Sequence, residues 1–179
     1  MMKFKTIGAV FASAMLFTSA AFAQMTFYET KIRDWIVFGK PQQEQLNPSC
    51  NGEKGYQDGS FFSLIKDLAD GELYILFHNV TWNITDNPGN YQMRINFYRG
   101  NSVFSLTANY ELLNKNTLRI RAIDPSKFLP AFMDFSRMVF IMPGTIQNAE
   151  ISLAGTTAVV AAMSECIGQY KPTKPGMNL

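Results

Sequence analysis

From residue 91 to residue 98 the chain alternates without a break. Tyr91, Met93, Ile95 and Phe97 fall on one side, and Gln92, Arg94, Asn96 and Tyr98 on the other. A period of two sends successive side chains to opposite faces of a strand, one toward a core and one toward water. The pair Gly100-Asn101 follows as a tight turn. Ser102–Tyr110 then alternates again, with Phe104, Leu106, Ala108 and Tyr110 sharing a face. Residues 117–123 set Leu118, Ile120 and Ala122 against Arg119 and Arg121. Upstream, 60–66 and 72–79 carry Phe61, Phe62, Leu64, Ile65 and the run Leu73–Phe77 on either side of a turn at 67–71. Asp70-Gly71 in that turn is a strong hairpin signal. Ile32–Phe38, Arg137–Met142 and Ala149–Leu153 complete the predicted strands. Residues 24–31 read as a lead-in, and 39–59, dense in Gly, Pro, Gln and Asn, as a long loop with a short extended piece near Cys50.

Strands with one polar face belong to antiparallel sheets. The pattern therefore predicts a mainly β domain, an antiparallel β-sandwich or flattened barrel of seven or eight strands, with one or two short helices. The first helix signal is Asp124-Pro125-Ser126, an N-cap followed by proline at the first helical position. Phe128, Phe132 and Phe135 then recur at helical spacing. Pro130 conflicts with an uninterrupted helix, so the reading is a helix that starts at Pro130 or kinks there. The second helix follows Gly155-Thr156-Thr157, with a threonine hydroxyl expected to cap its first turn. Val159, Ala162, Met163 and Cys166 form its apolar stripe. The segment 169–179 lacks periodicity and is expected to be a disordered tail.

The chain has 179 residues, a length that suits one domain, here placed at 24–168. Its N-terminus reads as a secretory signal peptide over residues 1–23. Lys3 and Lys5 precede an apolar run from Ile7 to about Phe17, and Ala21-Phe22-Ala23 fits the small-x-small cleavage rule before Gln24. The apolar run falls short of the ~20 residues that span a bilayer, so no membrane insertion is expected. Periplasmic or secreted localisation follows. Without Lys3 and Lys5, the remaining basic residues equal the 14 Asp and Glu, and the formal charge is zero. Such a balance lacks the basic excess of a nucleic-acid binder.

Two cysteines, Cys50 and Cys166, lie beyond the leader. An isolated pair in an oxidising compartment reads as one disulfide. It would tie the last helix, whose apolar stripe contains Cys166, to the N-terminal part of the domain. With one His and two Cys, the chain lacks the ligands of most catalytic zinc sites, cysteine-rich zinc modules and iron–sulfur clusters. No metal or cofactor is expected.

Candidate chemistry is sparse. His78 ends a predicted strand with no Gly-x-Ser-x-Gly nucleophile in the chain. Asp58, Asp67, Asp70, Glu72 and Asp86 cluster in predicted loops. Two of them facing each other would suit a glycosidase-type hydrolase, although Asp67, Asp70 and Glu72 surround a turn where Asp is favoured for local geometry. Arg94, Arg119 and Arg121 fall on the polar face of the sheet, where they would meet an anion or an acidic partner. Trp82, with Tyr91, Tyr98 and Tyr110, offers aromatic binding surface or core. Free amides at Gly155-Thr156-Thr157 suit an anion, but helix capping explains the same residues.

Trp35-x-Val37 in an early strand, a β-meander, and Leu153-x-Gly155 leading into an Ala-rich helix resemble proteobacterial exported proteins of the invasion-associated locus B type and related periplasmic domains. The likeness covers most of residues 32–166. It departs at Gly39, where those proteins place a cysteine. The resemblance implies an exported, non-enzymatic protein, sometimes linked to host-cell interaction, and carries over no site residue. The leading expectation is thus a non-catalytic binding or accessory protein, such as an envelope-enzyme inhibitor or a virulence-associated factor, that acts on a protein or cell-envelope partner. A carboxylate-based envelope hydrolase and a carrier of small apolar ligands are the alternatives.

Overall fold

A computed structural model describes residues 26–43, 46–84, 91–121, 124–141 and 149–171, the side chain of Tyr91 excepted. The leader with its cleavage point, Asp86 and the last eight residues lie outside this set. Among the described residues, ten strands form one antiparallel sheet. They are β1 (Tyr28–Ile32), β2 (Trp35–Lys40), β3 (Ser49–Gly55), β4 (Phe61–Asp67), β5 (Leu73–His78), β6 (Tyr91–Arg99), β7 (Ser102–Asn114), β8 (Thr117–Arg121), β9 (Arg137–Ile141) and β10 (Ala149–Ser152). Helix α1 spans Pro125–Asp134 and α2 spans Thr156–Gln169. The order across the sheet is β1-β2-β3-β4-β5-β8-β7-β6-β9-β10. The class is the expected one, with more strands than the seven or eight expected and two beyond the eight segments read as strands. Both extra strands lie in segments read as irregular: β1 in the lead-in, and β3, which contains Cys50, in the long loop.

The sheet is open but strongly curled. Phe77 on β5 and Phe140 on β9 have three strands between them, and a flat sheet would hold them about 19 Å apart at ~4.8 Å per strand. Their ring centroids lie 5.7 Å apart. Phe62 on β4 reaches the same ring at 6.2 Å. Among the described residues β1 and β10 do not pair, so the ladder stays unclosed. Side chains cross the gap instead. Trp35 Nε1 donates to the Ala154 carbonyl at 3.3 Å. Lys54 Nζ, buried on the inner face, donates to the Ser152 carbonyl at 3.4 Å and pairs with Asp34 at 2.5 Å.

Six strands each give one alternate set to the interior: Trp35 and Val37, Phe62 and Leu64, Ile75 and Phe77, Leu118 and Ile120, Met93, Ile95 and Phe97, Met138 and Phe140, all buried. Helix α1 fills the space they enclose. Phe128 packs edge-on to Phe97 at 5.7 Å, and Phe132 packs edge-on to Trp35 at 5.9 Å. The helix starts at Pro125, capped by Asp124, which accepts from the Ser126 amide at 3.0 Å, and it runs through Pro130. Pro130 is exposed, and its missing amide forfeits a single intrahelical bond, so the start at Pro130 is corrected to Pro125.

Helix α2 covers the inner side of β1–β3. Gly52 permits that approach. A β-carbon there would lie 2.8 Å from Val159 Cγ1 and 3.2 Å from Met163 Sδ. Gly52→Ala is expected to destabilise the fold by about 1–3 kcal/mol through overpacking. In urea titration, most of that loss should be recovered by adding Val159→Ala, because the two positions share one contact.

The cap of α2 differs from expectation. Gly155 holds the N-cap at φ 93° with no side-chain bond. The Thr156 hydroxyl donates to the carbonyls of Phe132 at 2.5 Å and Leu153 at 2.8 Å, and Thr157 reaches the Met133 carbonyl at 3.2 Å. These hydroxyls fasten α2 to the end of α1. Cys166, on the buried stripe of α2, is bonded to Cys50 with a Cα–Cα distance of 6.0 Å. The segment expected to be a disordered tail begins in order: Gln169 closes α2, and the Tyr170 ring lies 5.7 Å from Phe27.

Candidate functional site

With both helices on the inner side, the outer face of the sheet is left to the complementary residues of each strand. The register lays them out in rows. Ile36 on β2, Glu53 on β3, Ser63 on β4, Leu76 on β5 and Arg119 on β8 form one row. Phe38, Asn51, Ile65 and Tyr74 form the next. Small residues sit low in this surface. Asn51 and Ser63 are buried, and Asn51 donates to Ser49 Oγ at 3.0 Å. Larger neighbours stand around them, with Ile36 44% exposed and Phe38, Tyr74 and Leu76 half-buried.

Glu53 occupies the middle of this patch. Burial pushes its carboxyl above the usual value, and the Lys40 ammonium offsets this only in part. Among the described residues it makes no ion pair. A carboxyl whose folded pKa is raised weakens the fold at pH values above the unfolded pKa. That penalty vanishes once pH falls below it, near 4.3 for Glu. Glu53→Gln should therefore raise the melting temperature at pH 7 and leave it unchanged below about pH 4.

The predicted arginines do share the outer face, but two are engaged. Glu111 accepts from Arg119 Nε and also from Arg121 Nε at 3.3 Å, and Arg121 lies 3.6 Å from Glu72. Pairing with Arg119 holds Glu111 below the usual carboxylate range against the opposing effect of burial. Arg94 is exposed on β6, in register with Thr107 and Ile141, in a different row from the pair. Trp82 is a core residue, not a surface one. It is 6% exposed and packs edge-on to Phe77 with centroids 5.0 Å apart. Tyr110 is buried as well, whereas Tyr98 is half-buried beneath the Arg137 guanidinium at 4.4 Å.

The carboxylates expected in loops serve local structure. Asp58 accepts from the Ser60 amide at 2.9 Å. Asp67 accepts from Asn47 and the Ala69 amide, both at 2.8 Å. Burial alone would raise Asp67, but these donors outweigh it and hold the carboxyl below its usual value. Asp70 accepts from the Glu72 amide at 2.7 Å. His78 stacks on Phe61 at 5.3 Å, and its Nδ1 lies 2.9 Å from Thr117 Oγ1. Tyr56 is buried at its hydroxyl with no hydrogen-bond partner among the described residues. Burial foremost, then Asp34 and Asp58, pushes it up to about 12, so it stands as a neutral phenol.

Sequence reasoning missed Glu53 because it lay in a segment read as loop, where no face can be assigned. The available signal was Trp35-Ile36-Val37-Phe38, apolar on both faces of its strand, as Leu73–Phe77 is on β5, whereas the strands at 91–98 and 117–121 alternate. No family model, curated protein or solved structure matches the chain.

Proposed function

We propose that this is a non-catalytic binding protein of an exported compartment, periplasmic or secreted, that holds a protein partner of the cell envelope against the outer face of β2–β5. The observation that carries the reading is Glu53. An acid half-buried among Ile36, Phe38 and Leu76 costs stability in the free protein, and perturbed acids of this kind concentrate at functional surfaces. A partner presenting apolar side chains around a Lys or Arg would satisfy both the carboxylate and its neighbours. Export is supported by the leader pattern of residues 1–23 and by the disulfide, a bond that persists in oxidising compartments. Inhibition of an envelope enzyme and a virulence accessory role are both forms of this activity.

The test uses a photo-crosslinking residue at position 36 in cells. An adduct with one protein is expected, and Glu53→Gln should abolish it while making the free protein more stable. That opposition between stability and binding separates a functional acid from a structural one. An unchanged adduct in Glu53→Gln, or no adduct at all, would overturn the proposal. So would hydrolysis of a cell-wall polymer by the pure protein, which would favour the carboxylate-hydrolase alternative.

A further inference from the structure

A second surface feature lies on the opposite side of the sheet and is independent of the outer face. Where α1 and α2 meet the inner side of β4 and β5, they leave a cavity of about 140 Å³. Leu64, Leu73, Leu129, Val160, Met163 and Ile167 give it apolar walls from all four elements. Two polar side chains reach it. The Ser164 hydroxyl is committed to the Val160 carbonyl at 3.0 Å. The other is Lys66, whose ammonium donates one hydrogen bond to the Gly71 carbonyl and joins no ion pair among the described residues. An ammonium carries three donors, so Lys66 keeps donors for a second acceptor.

We propose that this seam binds a small apolar carboxylate, its tail between α1 and α2 and its head on Lys66. Size and charge set the ligand class. Apolar cavities of about 150 Å³ take a benzene-sized guest, so the space suits about six carbons or one ring. A single cation at the edge of an otherwise apolar wall selects an anionic head over a neutral one. The site is tied to the disulfide at two points. Cys50 pairs with Lys66 across β3 and β4, and Cys166 precedes Ile167 on the opposite wall.

The experiment titrates hexanoate, benzoate and hexanol into the purified disulfide-bonded protein, reading the ¹³C-methyl resonance of Met163 assigned through Met163→Leu. Saturable shifts with hexanoate and benzoate are expected, with hexanol at least tenfold weaker. Lys66→Met should erase the preference for hexanoate over hexanol. Val160→Phe, or Leu129→Phe from the facing wall, should abolish both shifts while thermal melting shows a folded protein. Reduction of the disulfide should weaken hexanoate. No saturable shift at millimolar hexanoate overturns the proposal. A preference that survives Lys66→Met, or binding that survives both filling variants, also overturns it. A shift caused by phosphatidylglycerol vesicles but not by hexanoate would assign the seam to membrane lipid and overturn the free-acid reading. None of these outcomes depends on the envelope partner.

Discussion

Replacing Cys50 and Cys166 together by alanine is expected to lower stability by about 4–5 kcal/mol, an effect of the largest class available to a substitution in this chain. The bond spans 116 residues of sequence. Closing so long a loop removes much of the freedom of the unfolded chain, and the loss grows with the logarithm of loop length. The native state shows why the link is placed there. Cys50 lies on β3, on the same inner face as Gly52, and both meet α2 through Cys166, Val159 and Met163. The bond thus fastens the last element to strands laid down more than 100 residues earlier. For a domain of this size, 1 kcal/mol corresponds to about 2–4 °C, so a fall in melting temperature of about 10–20 °C is the expected calorimetric result. Alanine is the right probe because both sulfurs are fully buried, and serine would add an unsatisfied hydroxyl. A fall of less than 3 °C would show that noncovalent packing alone holds α2 on β3.

The same region shows what the pattern of residues could and could not reveal. β6 and β7 were legible because each alternates over many residues, and a half-buried strand imposes that period on its own sequence. β3 reads Ser-Cys-Asn-Gly-Glu-Lys-Gly, poor in every strand-forming residue. It becomes a strand because β2 and β4 flank it and satisfy its backbone on both sides, a tertiary effect no local window contains. Its composition has separate causes: Gly52 lets α2 approach, Lys54 spans the open seam, Cys50 takes the disulfide. The candidate site was lost with the strand, since Glu53 has a face only once β3 exists. The arginines were legible by position but not by partner. Glu111 lies eight residues from Arg119, and only the β7–β8 register brings the two together.

Phe132→Ala is expected to cost about 3–5 kcal/mol, the range for removing a large aromatic side chain that cannot be replaced by collapse of its surroundings. Its ring is fully buried and touches three others: Phe128 at 5.3 Å on the same helix, Phe62 at 6.1 Å on β4 and Trp35 at 5.9 Å on β2. Phe62 and Trp35 belong to a curled sheet whose edge strands do not pair among the described residues, and the ring packs against both from the helix inside it. Its carbonyl accepts the Thr156 hydroxyl that binds α2 to α1. The cavity left by alanine would therefore open at the junction of both helices and the sheet, where each wall is already fixed by another contact. Phe132→Leu should recover more than half of the loss, because it restores apolar volume without the edge-on geometry. Chemical denaturation measures both variants. If Phe132→Ala costs less than about 1.5 kcal/mol, the interior is not organised around α1, and the curl of the sheet must be set by the strands alone.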